Sequence, residues 1–245
     1  DTQSIDNIQI NESVTEELTT KQHAILQAAI AGHNILMTGP GGVGKSFVIA
    51  RILAALQDSK RVEITAMTGA AAAIIHGRTL HSTLGIGLGK DDVDGLYRRL
   101  NHTRVKDIDV LIIDEVSMLS NVLLDKIEEV ITLCRYPRHR QLKNQLPPPF
   151  GGIQLILSGD FLQLPTIEDD FCFTAECWER LNLKIFVMDE IKRQNDIEFQ
   201  TVLNKARFGN ITNEDIKYLT SGGAEAYNDG ILPTRILCRN IDVDN

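Results

Sequence analysis

Gly39-Pro40-Gly41-Gly42-Val43-Gly44-Lys45-Ser46 is the stretch that decides the fold. It fits G-x-x-x-x-G-K-[ST], a phosphate-binding loop. An apolar run at residues 34–38 leads into it, and Val48, Ile52 and Leu56 follow at helical spacing. The pattern therefore predicts a strand, a loop and a helix. The glycines let backbone N–H groups turn inward around phosphates. A helix starting near Lys45 aims its positive end at the same anion. Lys45 adds a mobile charge for the β- and γ-phosphates, and the Ser46 hydroxyl completes a Mg²⁺ shell. The motif does not by itself say which reaction follows.

Working outward, residues 61–66, 110–113, 154–157, 183–188 and 235–238 read as further strands, with helical patterns between them. Such alternation predicts an α/β fold, a parallel sheet with helices on both faces. Ligands then sit at the carboxyl ends of the strands. Asp114 and Glu115 directly follow the apolar run Val110-Leu111-Ile112-Ile113, and Gln163 lies in Ser158-Gly159-Asp160-Phe161-Leu162-Gln163-Leu164-Pro165. Arg193 comes a few residues after the 183–188 strand. Hydrolysis of a γ-phosphate needs a metal clamp, a positioned water and positive charge on the transition state. Asp114 fits the metal role, and Glu115 the orientation or deprotonation of water. Gln163 either bonds the γ-phosphate or faces solvent between two leucines. Arg193 either supplies transition-state charge or is a surface arginine.

Bulk composition agrees with a globular chain: 245 residues, 43% apolar and 24% charged. No apolar run approaches the ~18 residues of a membrane-spanning helix, so no membrane partner is expected. The net charge of −8 argues against a broad non-specific DNA surface, though it permits a narrow basic groove. Cys134, Cys172, Cys177 and Cys238 lack zinc spacing and read as buried reduced thiols, which suits an intracellular compartment. The chain opens on Asp1 rather than Met and is expected to be an excised piece.

Several segments carry two readings. Residues 1–14 read as a flexible lead-in. Thr19-x-x-Gln22 fits a capping box, which gives Gln22 a structural task at a helix start. The small-residue run at 67–72 reads on physics alone as a tightly packed helix, and His81 as a satisfied polar residue. About residues 86–109 form a polar insertion with one short helix at 93–100. The helix after Glu115 is expected to bury Val122, Leu123, Ile127, Val130 and Ile131. The segment RYPRHRQLKNQLPPPF at 135–150 cannot be a core element; it reads as a solvated loop or as a contact with phosphates.

Five stretches taken together resemble one family: GPGGVGKS, AMTGAAAAIIHGRTLHSTLGIGLG, VLIIDEVSML, PFGGIQLILSGDFLQLP and DEIKRQNDIEF. Their order is similar to that of the Pif (petite integration frequency) DNA helicases, RecD-like members of superfamily 1B, over about residues 18–208. The resemblance implies a RecA-like P-loop NTPase domain at 15–220 with a small inserted, 1B-like subdomain. It implies a linker and the start of a truncated second RecA-like domain at 221–245. It implies ATP and Mg²⁺, with Gln22 reading adenine and Gly39 to Ser46 holding phosphates. Lys45, Glu115, Gln163 and Arg193 would be catalytic, and Ser46 and Asp114 would serve the metal. Thr68, Gly69, Thr79 and His81 would contact single-stranded DNA, which overturns the packing-only reading of that segment. The implied activity is ATP-driven 5′→3′ movement on single strands, opening forks and G-quadruplex DNA. A monomer is expected, in a nucleus or mitochondrion if eukaryotic and in the host cell if viral. Motifs V and VI are missing, so this chain alone is expected to bind ATP–Mg²⁺, hydrolyse it poorly and not unwind DNA. The competing reading is a non-motor P-loop switch or loader acting on a protein; stimulation of turnover by DNA separates the two.

Overall fold

The computed structural model describes residues 18–137, 146–167, 169–190 and 196–221. The strand expected at 235–238, Arg193 and Cys238 lie outside the described residues. The chain divides into two compact units, with the boundary between Ile197 and Glu198.

In the first unit, β1 (Ile35–Thr38), β2 (Val62–Ala66), β3 (Arg78–Thr79), β4 (Val110–Asp114), β5 (Gln154–Gly159) and β6 (Lys184–Val187) form one sheet. The order is β3-β2-β4-β5-β1-β6, and every pair is parallel. The centre of the sheet is buried on both faces, which is why β4 reads as a continuous apolar run. Alternate side chains still go to opposite faces. Leu111, Ile113, Leu155, Leu157 and Leu36 enter one core, while Val110, Ile112, Ile156, Ile35 and Met37 enter the other.

Helices cover both faces, as the alternating pattern required. α1 (Thr20–Ile30) and α2 (Lys45–Leu56) cover one face through Ile25, Leu26, Val48, Ile49, Ile52 and Leu56. α3 (Gly69–Ile74) makes a small separate cluster with Ala66, Ala72 and Ile75. α4 (Leu80–Leu84), α5 (Val93–Arg99), α6 (His102–Asp107) and α7 (Asn121–Arg135) supply the other face. Fully burying one such aliphatic side chain contributes about 1.5–3 kcal/mol. In the second unit, α8 (Ile197–Arg207) is followed by Gly209 in the left-handed region and then α9 (Asn213–Ser221).

Three expectations need correction. The insertion carries two helices, α5 and α6, because Leu100 leaves helical geometry between them; Leu96, Leu100, Val105 and Ile108 are buried in the core shared with α7. On α7 it is Leu124 that points inward, whereas Val122 is 43% exposed. Both fit a helical period, and the sheet's position selects between them. At 135–150, the expectation of a non-core segment fails at its end: Phe150 is 0% exposed. Arg135 is likewise a brace. Its Nε donates to Gly151 O at 2.8 Å, and its Nη1 donates to the carbonyls of Val105, Lys106 and Ile108 at 3.2, 3.2 and 2.7 Å. Residues 138–145 of that stretch lie outside the described residues.

Candidate nucleotide and nucleic-acid site

The sheet order places β5 between β1, which leads into the phosphate loop, and β4, which ends in Asp114. The carboxyl ends of all three strands therefore open on one cleft. It has a volume of about 570 Å³ and is lined by Gln22, the loop glycines, Lys45, Ser46, Phe47, Asp114, Glu115 and Gln163. Strand order thus gathers the phosphate loop, Asp114, Glu115 and Gln163, and α1 adds Gln22.

The phosphate loop keeps its path by close packing. Gly39 has φ of +152°, and a Cβ there would collide with the Met188 carbonyl oxygen at the end of β6. Gly44, the N-cap of α2, is left-handed and makes no side-chain cap. By contrast, the caps of α1, α3, α4, α5, α6 and α7 each accept a backbone hydrogen bond through a side chain. The start of α2 therefore lacks the side-chain cap that those helices carry, the arrangement an anion-binding helix start uses. Lys45 Nζ donates to Gly39 O at 2.7 Å and Pro40 O at 3.0 Å.

Two carboxylates, Asp114 and Glu115, line the cleft, and the buried Asp160 acts on Glu115 from behind the lining. Asp114 is 5% exposed and Asp160 1% exposed, and Glu115 lies in the left-handed region at φ 54°. Such a backbone costs of order 1–3 kcal/mol for a non-glycine residue and clusters at functional sites. Burial pushes the Glu115 carboxyl above its usual range; Asp114 and Asp160 push it further, and Lys45 opposes them. A base whose pKa is raised toward neutrality is better matched to taking a proton from water. Asp160 is the residue that sequence reasoning passed over. It accepts from Leu162 N at 3.2 Å and from Gln163 Nε2 at 3.3 Å, so it sets the loop that carries Gln163. The Gly-Asp step after an apolar strand was the available signal.

Gln22 performs the capping task and leaves its amide nitrogen outside it. Its Oε1 accepts from Thr19 N at 3.0 Å, and Thr19 Oγ1 accepts from Gln22 N at 3.3 Å, closing the capping box. Its Nε2 lies beside Gly44, 2.9 Å from where a Cβ would stand, and faces the cleft. Ser46 and Asp114 offer hard oxygen donors in the same cleft, and no described residue hydrogen-bonds the buried Asp114 carboxylate. This donor set fits a Mg²⁺ ion that takes most of its ligands from phosphate and water. Among the described residues no cluster of three or more His, Cys, Asp or Glu is placed to hold a metal on its own.

Thr68 and Gly69 lie at the carboxyl end of the sheet one strand beyond Asp114, and Thr79 and His81 lie two strands beyond it. β2 ends at Ala66, which is in register with Thr79 on one side and Asp114 on the other. Thr68 and Thr79 cap α3 and α4, accepting from Ala71 N and Ser82 N at 3.2 Å each. Space around Gly69 is open. Burial lowers the His81 pKa, so the ring is neutral at physiological pH. Cys134, Cys172 and Cys177 are buried free thiols, as expected; burial pushes the Cys172 thiol up to about 12.

The PIF1-like helicase family model matches residues 15–217. The chain belongs to the PIF1-like helicase family. It is 35% identical over 242 residues to the ATP-dependent DNA helicase PIF1 of Saccharomyces cerevisiae, covering 93% of this chain and 27% of that protein. The crystal structure of Pif1 helicase from Candida albicans superposes with a TM-score of 0.82 at 33% identity, covering 93% of this chain and 52% of that one. Pif1 helicase from Bacteroides in complex with ADP-AlF3 and ssDNA gives 0.70 at 26% identity, covering 85% and 50%. The PIF1-like chain thus spans a quarter to a half of these relatives. The RecA-like fold expected from its motifs is the fold of those helicases.

Proposed function

We propose that this chain is the ATP-binding and single-stranded-DNA-engaging portion of an ATP-dependent 5′→3′ DNA helicase. The observation that carries the proposal is the single sheet edge. It holds the cleft of Lys45, Ser46, Asp114, Glu115 and Gln163, with Thr68 and Gly69 one strand from Asp114 and Thr79 and His81 two strands from it. An ATP site and a strand-binding shelf on one rigid edge can exchange mechanical work.

In this reading the triphosphate lies on the loop N–H groups, and Lys45 leaves the Gly39 and Pro40 carbonyls to meet it. Ser46 and Asp114 hold Mg²⁺, which when bound neutralises charge on the phosphate oxygens. Glu115 accepts the proton of the attacking water. The Gln22 Nε2 donates to the adenine edge. Gln163 senses the γ-phosphate and, through its hydrogen bond to Asp160, moves the 160–164 turn when that phosphate leaves. Arg193, outside the described residues, supplies transition-state charge. Residues 15–220 form the first RecA-like domain, with an insertion near 86–109, and a second begins within 221–245. Single-stranded, forked and G-quadruplex DNA are the partners, engaged by a monomer inside the cell: nucleus or mitochondrion in a eukaryote, the host cell for a virus. Translocation needs two RecA-like domains closing on ATP, so residues 1–245 alone bind ATP–Mg²⁺ but do not unwind.

The test is ATP turnover by a protein extended through a complete second RecA-like domain, with and without single-stranded DNA, beside Glu115→Gln. Strong stimulation that vanishes in the variant supports a DNA-driven motor. Turnover indifferent to DNA sinks the proposal and leaves a P-loop ATPase whose activator is a protein.

A further inference from the structure

We infer that the Phe47 ring is the stacking surface for the nucleobase and that Arg51 is the positioning residue that holds the ring. The inference rests on the reading of the cleft as a nucleotide site, and it names a determinant of which nucleotide enters. Phe47 is the third residue of α2, directly after Ser46, and its side chain lines the cleft. Among the described residues it belongs to none of the hydrophobic clusters of the first unit, neither among their buried residues nor among those packed against them. A large ring turned to a cleft rather than to a core is available for a ligand's flat face.

Two neighbours make the placement specific. The Arg51 guanidinium carbon lies 4.7 Å from the Phe47 ring centroid, one helical turn on. A cation over one ring face limits the ring's rotation. On the loop side, a Cβ at Gly44 would stand 2.9 Å from Gln22 Nε2 and 4.0 Å from Phe47 Cβ. The Gln22 amide and the base of the Phe47 side chain therefore flank the same glycine. A nucleobase is held by its edge and by its face, and this pair supplies one of each beside the phosphate loop. Purines stack over more area than pyrimidines, so the site prefers ATP to CTP or UTP.

The experiment compares Mg·ATP with Mg·tripolyphosphate, which has the phosphates and no base, by titration calorimetry on the full 245-residue chain. Phe47→Ala is expected to weaken ATP about tenfold, in line with loss of one base–aromatic stack, and to leave tripolyphosphate unchanged. Arg51→Ala moves the ATP affinity in the same direction by less. Phe47→Trp keeps ATP affinity, and its fluorescence is quenched by ATP and not by tripolyphosphate. An unchanged ratio of ATP to tripolyphosphate affinity in Phe47→Ala, or equal quenching of Phe47→Trp by both ligands, overturns the inference and leaves the nucleotide cleft standing. A wild-type chain that binds neither ligand overturns both.

Discussion

Lys45 Nζ donates to Gly39 O at 2.7 Å, so the side chain proposed to serve the phosphates ties the end of the loop to its beginning. In the proposed ATP complex the ammonium exchanges the Gly39 and Pro40 carbonyl oxygens for phosphate oxygens. Removing it takes away both the charge and the tie. Lys45→Ala is expected to lower ATP turnover at least about a hundredfold, the scale seen when one preorganised electrostatic donor is lost. Steady-state ATPase assays of the two-domain protein with saturating DNA check this; residual turnover within a few-fold of wild type contradicts the role.

Glu115 has a signature in the pH profile. Its pKa is raised by burial first, then by the charges of Asp114 and Asp160. A general base works deprotonated, so activity is lost as pH falls through that raised pKa. Asp160→Asn removes one of the negative charges and lowers the Glu115 pKa, and the acid limb of kcat moves to lower pH. The amide can still accept from Leu162 N, as Asp160 Oδ1 does at 3.2 Å. An acid limb that stays in place, with Glu115→Gln still inactive, shows that Asp160 acts only on the loop.

Arg135 predicts stability without function. Its bonds to the Val105, Lys106 and Ile108 carbonyls satisfy the C-terminal end of α6, and its bond to Gly151 ties in the turn before β5. Arg135→Ala leaves several part-buried acceptors without a donor and is expected to cost about 2–3 kcal/mol. For a domain of this size that lowers Tm by roughly 4–12 °C. ATP affinity should not change, because Arg135 bonds the chain just before β4 and β5, whereas the cleft opens at their carboxyl ends. Thermal unfolding with and without nucleotide reads both quantities at once.

What the sequence disclosed and what it hid follow from distance along the chain. The phosphate loop and the Asp114-Glu115 step were legible because each is a local pattern with its own strand beside it. The capping box of Thr19 and Gln22 was legible for the same reason, being closed within one turn. Asp160 was hidden, since its weight comes from β5 standing between β1 and β4, a fact of sheet order. Arg135 looked like part of a basic loop, yet its partners lie 16 to 30 positions away and are backbone carbonyls that leave no mark on composition. Phe150 followed three prolines and took on their appearance, although the chain turns inward directly after them. Val122 and Leu124 both satisfied a helical period, and only the sheet beneath decides between them.

The second unit supplies a test of acid sensitivity. Asp215 sits at the third position of α9, where its N–H donates to Thr212 Oγ1 at 3.2 Å and its Oδ2 accepts from Thr212 N at 2.9 Å. Lys205 Nζ on α8 donates to its Oδ1 at 2.8 Å. The hydrogen bond from Lys205 is the largest influence and those from Thr212 come next; together they hold the Asp215 carboxyl down to about 2. A carboxyl depressed in the folded state contributes stability that is complete above its unfolded pKa of about 3.9. That contribution fades as pH falls from there toward 2. Hydrogen-exchange protection of the α9 amides should therefore be level from pH 7 to about 5 and decline below 4. Asp215→Asn should be less protected at neutral pH and lack this decline, so that the two proteins converge near pH 2. Parallel curves at all pH values would show that the Lys205–Asp215 contact does not hold the two helices together in solution.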